Sequence, residues 1–94
     1  MTESQPGIRL DKWLWYCRFF KTRALAAKAV TSGARVNGVR LSKASALVRP
    51  GDEITFKQAR SVRYVRVEAL GERRGPAPEA QTLYTDLAPA QVAD

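Results

Sequence analysis

The spacing of apolar residues changes at Gly33, from a helical period to an alternating one, and this change predicts a mixed α+β fold. The helical spacing lies within residues 8–21, where the apolar positions three and four residues apart are Leu10, Trp13, Leu14 and Cys17. An alanine-rich segment follows over about residues 23–32, and the hydroxyl of Thr22 can cap a helix there. Gly33 is the expected end of this second helix, because glycine adopts a left-handed conformation at little cost.

Beyond this glycine the pattern is typical of short β-strands. Residues 36–39 have an Asn-Gly pair at their centre, which suits the two positive φ angles of a type I′ turn and predicts a β-hairpin. Residues 53–57 predict a strand with Ile54 and Phe56 on one face. A further strand is expected over residues 62–67. Its apolar residues fall on both faces, so the sequence does not decide which face is buried.

The C-terminal part of the chain begins with Gly75 and Pro76, which end the predicted sheet. Residues 79–87 have apolar side chains at helical spacing and predict a short helix, and the last few residues are expected to be disordered. These elements divide the chain into a flexible N-terminus over residues 1–7, a folded domain over residues 8–70 and a partly disordered C-terminal extension over residues 71–94.

Positive charge is concentrated in the central part of the chain. The 94 residues suit a single domain, and they include sixteen Lys and Arg but nine Asp and Glu, for a net charge of +7. All sixteen basic residues lie between Arg9 and Arg74, where five acidic residues occur, so this window has a net charge of +11. A field of this sign and strength favours a polyanionic partner.

The composition excludes several kinds of chemistry. Without histidine, the chain has no His-based acid–base catalysis and no His ligands for a metal. Cys17 is the single cysteine, which excludes an internal disulfide and a zinc site built from several thiolates. No run of about 20 apolar residues is present to cross a bilayer, and residues 1–7 lack the apolar core of an export signal. We therefore expect a cytoplasmic protein without a membrane partner, and we predict no cofactor.

Basic residues are expected to converge at the start of the second helix and at the hairpin. A tight turn between the helices would hold Lys21 close to Arg23, beside the free N–H groups and the positive dipole end of the second helix, where a phosphate binds well. The Asn-Gly turn would bring Arg35 and Arg40 to the same side, and Lys43 follows in the next loop. Together these residues predict a two-helix platform flanked by a basic hairpin.

The same stretch resembles the S4 RNA-binding domain, also called the alpha-L motif. The resemblance covers about residues 8–57 and rests on the segments Arg9-Leu10-Asp11, Thr22-Arg23, Gly33, Val36-Asn37-Gly38, Lys43 and Gly51-Asp52. It implies two helices packed on a small, mostly antiparallel sheet that together bind structured RNA. The candidate RNA-binding residues, carried over from this resemblance except for Arg18, which comes from the basic stretch itself, are Arg9, Lys12, Arg18, Lys21, Thr22, Arg23, Lys28, Arg35, Asn37, Arg40 and Lys43.

Residues 11–23 and residues 72–80 narrow the resemblance to the heat shock protein 15 group, whose members stand alone and associate with ribosomes. The group implies a non-enzymatic protein that binds ribosomal RNA on free large ribosomal subunits carrying a stalled peptidyl-tRNA, and that favours recycling of the blocked subunit. On this basis we expect a ribosome-associated monomer without catalytic residues.

Several side chains allow two interpretations. Trp15 and Phe19 lie off the main apolar stripe, so they either stack on RNA bases or pack over the sheet or a C-terminal helix, and we favour packing. Cys17 lies at a core-facing position and is expected to be an inert thiol. Asp11 is expected to act as a cap or to hold Arg9 in an ion pair, and not to act as a base.

Other functions compete with subunit recycling. Within RNA binding, the alternative is a regulatory protein or a ribosome-assembly factor. S4 domains are often joined to RNA-modifying enzymes, but the chain leaves no room for a catalytic domain and shows no catalytic constellation, so we expect a non-enzyme. A protein–protein adaptor with an incidental basic face is the remaining hypothesis.

Overall fold

The computed structural model describes residues 7–87, which form helices packed on one face of an antiparallel sheet. In chain order the elements are β1 (Ile8–Arg9), α1 (Leu10–Tyr16), α2 (Arg23–Thr31), β2 (Arg35–Val36), β3 (Val39–Arg40), β4 (Leu47–Val48), β5 (Glu53–Gln58), β6 (Ser61–Val67), α3 (Ala77–Ala80), a 3-10 turn (Gln81–Leu83) and β7 (Tyr84–Asp86). Among the described residues, no helix is long enough to span a membrane, since α2, the longest, has nine residues.

The main sheet has five strands in the order β3-β2-β5-β6-β7, and each neighbouring pair is antiparallel. Strands β1 and β4 form a separate two-stranded sheet. The core lies between the main sheet and helices α1 and α2, and its largest fully buried side chains are Trp13, Leu10, Leu14, Ile54, Val30, Val48, Val65 and Val67. The predicted α+β architecture, with two N-terminal helices on a small antiparallel sheet, is confirmed.

Helix α1 is shorter than the helical spacing over residues 8–21 predicts, and the start of that stretch forms β1 instead. The helix ends because Arg18 adopts a left-handed conformation with a φ of 65°. The N–H of Phe19 then donates to Leu14 O over 3.2 Å, and the N–H of Arg18 donates to Trp15 O over 3.1 Å, which are the two bonds of a Schellman motif. Glycine usually occupies this position, so an arginine there gave no stop signal in the sequence.

Helix α2 begins and ends nearly as predicted. Thr22 Oγ1 accepts a hydrogen bond from the N–H of Leu25 over 3.1 Å and so caps the N-terminus. The helix ends at Thr31, one residue before the predicted end, and Gly33 follows with a positive φ of 135°. The capping hydroxyl and the glycine therefore mark both ends of this helix.

The predicted type I′ hairpin joins β2 and β3. Its turn residues Asn37 and Gly38 have positive φ angles of 52° and 84°. Arg35 lies directly across from Arg40 in the hairpin and, on its other side, across from Thr55 of β5. The expected placement of the two arginines on one side of the hairpin is thus confirmed.

The structure shows which face of strand β6 is buried, a question that the sequence did not decide. Val65 and Val67 are buried in the core, whereas Val62 is 63% exposed. Tyr64 lies on the same face as Val62, and its hydroxyl donates a hydrogen bond to Glu53 Oε1. The buried face is therefore the one that carries Val65 and Val67.

The prediction of a helix over residues 79–87 is confirmed for the start of that stretch and wrong for its end. The stretch begins in the single helical turn α3, continues as a 3-10 turn and ends as β7, which pairs with the edge of β6. An unpaired edge leaves a row of free backbone N–H and C=O groups, and pairing with β7 satisfies several of them. The expected disorder at the C-terminus falls on residues 88–94, outside the described residues, and the flexible N-terminus falls there for residues 1–6.

Residues 68–87, which we call the C-terminal segment, cross the end of α1 and are held there by hydrogen bonds. Arg18 Nε donates to Gly75 O over 2.6 Å. Arg74 donates from Nε to Trp15 O over 3.0 Å and from Nη2 to Phe20 O over 3.2 Å. The described part of the predicted C-terminal extension is therefore packed against the N-terminal helix α1.

Candidate nucleic-acid interface

Charge is divided unevenly between the two parts of the fold. Residues 9–49, which include α1, α2 and the hairpin, have ten Lys and Arg and a single acidic residue, Asp11, for a net charge of +9. Residues 50–87 have six basic and six acidic residues and are neutral overall. Arginines of this second part pair with carboxylates at Arg63–Asp86, Arg66–Glu68 and Arg73–Glu79. The excess positive charge therefore belongs to the first part.

The carboxylate of Asp11 positions two arginines at the starts of α1 and α2. Its side chain is 3% exposed, and it accepts hydrogen bonds from Arg9 Nε over 3.1 Å and from Arg9 Nη2 over 2.9 Å. Arg23 Nη2 lies 3.6 Å from Asp11 Oδ1. The Arg9 and Arg23 side chains are 47% and 42% exposed. Both guanidinium groups are therefore held by the buried carboxylate and are still accessible to solvent. The expected ion pair of Asp11 with Arg9 is confirmed, and Arg23 joins it.

The start of α2 lies beside this arginine pair. Thr22 accepts the capping hydrogen bond through its oxygen, which leaves its hydroxyl hydrogen to donate to a ligand. Lys21 is exposed next to it, and Lys12 of α1 lies with Nζ 5.6 Å from the centre of the Tyr16 ring. The dipole of α2 adds positive potential at this end, so the arrangement suits a phosphate group.

The hairpin places two like charges opposite each other. Arg35 and Arg40 form a cross-strand pair, and like charges in that position destabilise a sheet. Both side chains are exposed, and neither forms an ion pair within residues 7–87. Arg35 Nη1 donates to Gly38 O over 3.3 Å. A phosphate bound to both guanidinium groups would remove their repulsion, so this pair also suits an anionic ligand.

Lys28 and Lys43 are exposed at two further points of the basic part. Lys28 lies in the last turn of α2, where the helix dipole favours a cation. Lys43 lies in the loop between β3 and β4, and this loop is tied to the start of α1, since the N–H of Leu10 donates to Ala46 O over 2.9 Å. That bond holds the Lys43 loop beside the residues that surround Asp11.

Asn37 and Arg18, two further predicted residues, have side chains that are bonded to parts of the chain beyond residue 49. Asn37 Nδ2 donates to Asp52 Oδ1 over 3.1 Å, and Asn37 Oδ1 accepts from the N–H of Glu53 over 2.9 Å, which fixes the hairpin against the start of β5. Arg18 Nε is bonded to the C-terminal segment, as described above. Both side chains therefore have a role in the fold, and their contacts with RNA stay predictions.

Phe19 packs inside the fold, as we favoured from the sequence. Its ring centre lies 5.0 Å from that of Phe56 and 4.6 Å from that of Tyr84, and the residue is 7% exposed. The guanidinium carbon of Arg63 lies 4.9 Å from the centre of the Phe19 ring. This burial leaves the Phe19 ring unable to stack on a base.

Trp15 is half-buried beneath Arg74, which lies within residues 72–80, one of the stretches that carry the resemblance to the heat shock protein 15 group. The Arg74 guanidinium carbon lies 5.5 Å from the Trp15 ring centre, within the range of a cation–π contact. The same guanidinium group binds two backbone carbonyl oxygens near the end of α1. The two residues lie 59 positions apart, so no local pattern in the sequence could have paired them.

The remaining reactive group, the thiol of Cys17, is buried and free. Burial raises the pKa of the Cys17 thiol well above its usual range, so the group stays protonated and unreactive near neutral pH. Residues 7–87 contain no group of three or more acidic or cysteine side chains that could hold a metal ion. The structure therefore offers cations and hydrogen-bond donors as its binding chemistry.

Comparison with known proteins identifies the family of this basic, two-helix platform. The sequence model of the S4 domain matches residues 8–54, which is half of the chain. The chain belongs to the S4 domain family. The S4 match contains α1, α2, the hairpin and β4, and all the candidate RNA-binding residues lie within it.

Individual relatives extend the likeness beyond the S4 domain. Heat shock protein 15 of Escherichia coli (strain K12) is 46% identical over 82 residues, which are 86% of this chain and 61% of that protein. The RQC P-site tRNA stabilizing factor of Bacillus subtilis (strain 168) is 37% identical over 81 residues, which are 85% of this chain and 92% of that protein. The trimeric structure of Vibrio cholerae heat shock protein 15 matches with a TM-score of 0.80 at 42% identity and covers 88% of this chain and 84% of that chain.

These matches confirm the resemblance to the heat shock protein 15 group. They also show that the chain spans less than two thirds of the length of its Escherichia coli relative. The likeness includes most of the C-terminal segment, because an aligned region that covers 86% of the chain extends well beyond residue 68.

Proposed function

We propose that this S4-family chain is a non-enzymatic protein that binds structured ribosomal RNA on the large ribosomal subunit. The observation that carries the proposal is the concentration of a net charge of +9 on residues 9–49, whereas residues 50–87 are neutral overall. Lys and Arg side chains of this part neutralise phosphates and release their counterions, which provides affinity without any chemical step. Recognition depends on the shape of folded RNA, because side chains cannot read the deep major groove of an RNA duplex.

The proposed target is a free large subunit that still carries a stalled peptidyl-tRNA. Two lines of support are the likeness to heat shock protein 15 and the likeness to a Bacillus subtilis protein that is named for stabilizing P-site tRNA. Binding at such a subunit places the protein in the cytoplasm. It favours recycling of the blocked subunit by holding the RNA in one arrangement, and it needs no catalytic residue.

Sucrose-gradient sedimentation of the tagged full chain tests this proposal. We expect the chain to sediment with free large subunits, and more of it with subunits that carry peptidyl-tRNA than with empty ones. The variant Arg40→Glu should lose this association, whereas Arg60→Glu should keep it. Both arginines are exposed and lack ion pairs within residues 7–87, but Arg60 lies in the neutral part.

Crosslink mapping of the bound chain then identifies the RNA. Crosslinks to small-subunit RNA or to messenger RNA would contradict the proposed target and favour a regulatory or assembly role. Association that survives nuclease treatment would instead support a protein–protein adaptor, and modification of uridine by the purified chain would contradict a non-enzymatic role.

The oligomeric state belongs to the same proposal. We infer that the chain binds the large ribosomal subunit as a monomer, so that one copy of residues 9–49 contacts each subunit. A relative from Vibrio cholerae has been solved as a trimer, so light scattering of the free chain is the matching measurement. A stable trimer at the concentrations used for sedimentation would contradict the monomer.

A further inference from the structure

The main sheet has a second face, turned away from α1 and α2. Ile54 is fully buried on the helix side, so the neighbouring Thr55 points to the other side. Residues directly across from one another share a face, and the register continues this row from Thr55 to Tyr64 on one side and to Arg35 and Arg40 on the other. We call the surface that carries Arg40, Arg35, Thr55 and Tyr64 the outer face.

The outer face combines cations with an aromatic ring. Arg35 and Arg40 are exposed, and Lys57, two residues from Thr55 along β5, is exposed on the same side. Adjacent strands lie ~4.8 Å apart, so the row from β3 to β6 spans roughly 14 Å. Tyr64 is half-buried, and the hydrogen bond from its hydroxyl to Glu53 fixes one edge of its ring.

This combination is complementary to single-stranded nucleic acid. The row from Arg40 to Tyr64 contains no acidic residue. Glu53, two residues from Thr55 along β5, lies on the same face, and its carboxylate accepts the Tyr64 hydroxyl. Aromatic rings stack on unpaired bases of any sequence, while bases inside a duplex have their faces covered. A sheet face with one ring and flanking cations therefore fits an unpaired strand better than a duplex.

We propose that the outer face binds an unpaired RNA segment, which stacks a base on Tyr64 and places its phosphates against Arg35, Arg40 and Lys57. This inference rests on the proposed function and extends it to residues on β5 and β6. Lys57 and Tyr64 both lie outside the stretch that the S4 domain matches. The helix side and the outer face would then hold two segments of RNA at the same time.

Lysine acetylation, followed by mass spectrometry, tests the inference on the unaltered full chain. Ribosomal RNA extracted from large subunits is the probe, Lys21 reports on the start of α2, and Lys57 reports on the outer face. We expect the RNA to protect both lysines. Protection of Lys21 with full reactivity at Lys57 would overturn the outer-face inference and leave the proposed function intact. Full reactivity at both would overturn the proposed function itself.

Two substitutions of Tyr64 test the stacking role. Tyr64→Leu removes the ring but keeps an apolar side chain, and we expect it to weaken binding of the same RNA by about 5- to 100-fold. Tyr64→Phe keeps the ring and should bind as the parent chain does. Tryptophan fluorescence, which includes the buried Trp13, verifies that both variants fold. Equal affinities of the two variants would overturn the stacking role.

The strand preference is tested with two synthetic RNAs of one composition, one unpaired and one fully paired. We expect the unpaired RNA to protect Lys57 from acetylation at a lower concentration than the duplex. Equal or better protection by the duplex would overturn the proposal that the outer face takes an unpaired segment.

Discussion

Asp11 shows how one acidic side chain can position the cations of a basic surface. Its carboxylate is nearly inaccessible to solvent, and it holds the exposed guanidinium groups of Arg9 and Arg23. A free arginine loses about 2 kcal/mol of rotamer entropy when it is fixed. Asp11 fixes these two arginines before RNA arrives, so less of that entropy is lost on binding.

We therefore expect Asp11→Asn to weaken RNA binding even though it raises the net charge by one. The substitution should also lower the free energy of unfolding by about 1–3 kcal/mol, because a buried, charge-assisted set of hydrogen bonds is lost. Filter binding and urea unfolding measure the two effects. Glu72→Gln, an equal charge change at an exposed residue, is the control and should alter neither quantity much. Tighter RNA binding by Asp11→Asn would contradict this role of Asp11.

Arg18 is the second residue whose role is conformational. Its φ of 65° ends α1, and its side chain bonds to Gly75 O. Arg18→Ala and Arg18→Gly both lose that bond, but alanine also strains in the left-handed region. We expect the alanine variant to be less stable than the glycine variant by about 1 kcal/mol in urea unfolding. Equal stability would show that α1 ends without a left-handed residue.

At the element scale, the β2–β3 hairpin combines a stable turn with a repulsive pair. Asn37 anchors the hairpin to β5, while Arg35 and Arg40 repel each other across it. An arrangement that costs stability and offers paired cations is typical of a binding surface.

Arg35→Glu should consequently make the chain more stable but weaken its binding of RNA. It creates a cross-strand ion pair with Arg40, so we expect a free energy of unfolding higher by about 0.2–1 kcal/mol. Binding of ribosomal RNA should fall at the same time, in a filter-binding assay at fixed salt. Arg60→Glu, in the turn before β6, is the matched control and should change binding little. If the variant bound RNA as tightly as the parent chain, Arg35 would not be part of the interface.

The C-terminal segment contains an exposed ion pair, Arg73–Glu79, so its stability should fall at acid pH. The hydrogen bond from Arg73 lowers the pKa of Glu79 below its usual 4.5. Because the folded state favours the charged carboxylate, this stabilisation is complete above about pH 4.5 and disappears as the pH falls through the lowered pKa. The hydrogen bond from Arg66 lowers the pKa of Glu68 in the same direction.

We expect Glu79→Gln to have a lower thermal midpoint than the parent chain near neutral pH, where the ion pair is formed. The two midpoints should converge as the pH is lowered through the pKa of Glu79, because the parent chain then loses the pair as well. Differential scanning calorimetry measures both curves. A difference that stays constant across this range would show that the charge of Glu79 does not matter to the fold.

At the scale of the whole molecule, the basic and neutral parts predict a steep dependence of RNA binding on salt. If about eight of the ten basic residues within residues 9–49 contact phosphates, the log–log slope of the binding constant against salt is about −6 to −7. A double variant, Arg35→Glu with Arg40→Glu, should reduce the magnitude of that slope by about 2. A slope near zero for the parent chain would exclude phosphate contacts as the main source of affinity.

The elements that the sequence predicted well are those determined by neighbouring residues. The cap at Thr22, the glycine after α2 and the Asn-Gly turn each act over a few positions, and each appears in the structure. The early end of α1 and the strand β7 were missed, because they depend on partners far along the chain. Arg18 meets Gly75, and β7 forms only where the edge of β6 is available.

The same limit applies to the candidate site. Local rules predicted that Arg35 and Arg40 share one side of the hairpin, and the register agrees. They did not predict that Arg23 would join Arg9 on Asp11, that Asn37 would bond to β5, or that the sheet would expose a second basic face. The first feature depends on how α1 packs against α2, and the other two depend on which strands pair. A single sequence reveals neither.

The hydrogen bonds that cross the end of α1 also affect how the chain is made. Trp13 Nε1 donates to Ala69 O over 2.9 Å, and the acceptor lies 56 positions downstream. During translation the first helix leaves the exit tunnel before its partners have been synthesised. Its apolar side chains therefore stay exposed to solvent until then. This hydrogen bond therefore forms only after residue 69 has left the ribosome that makes the chain.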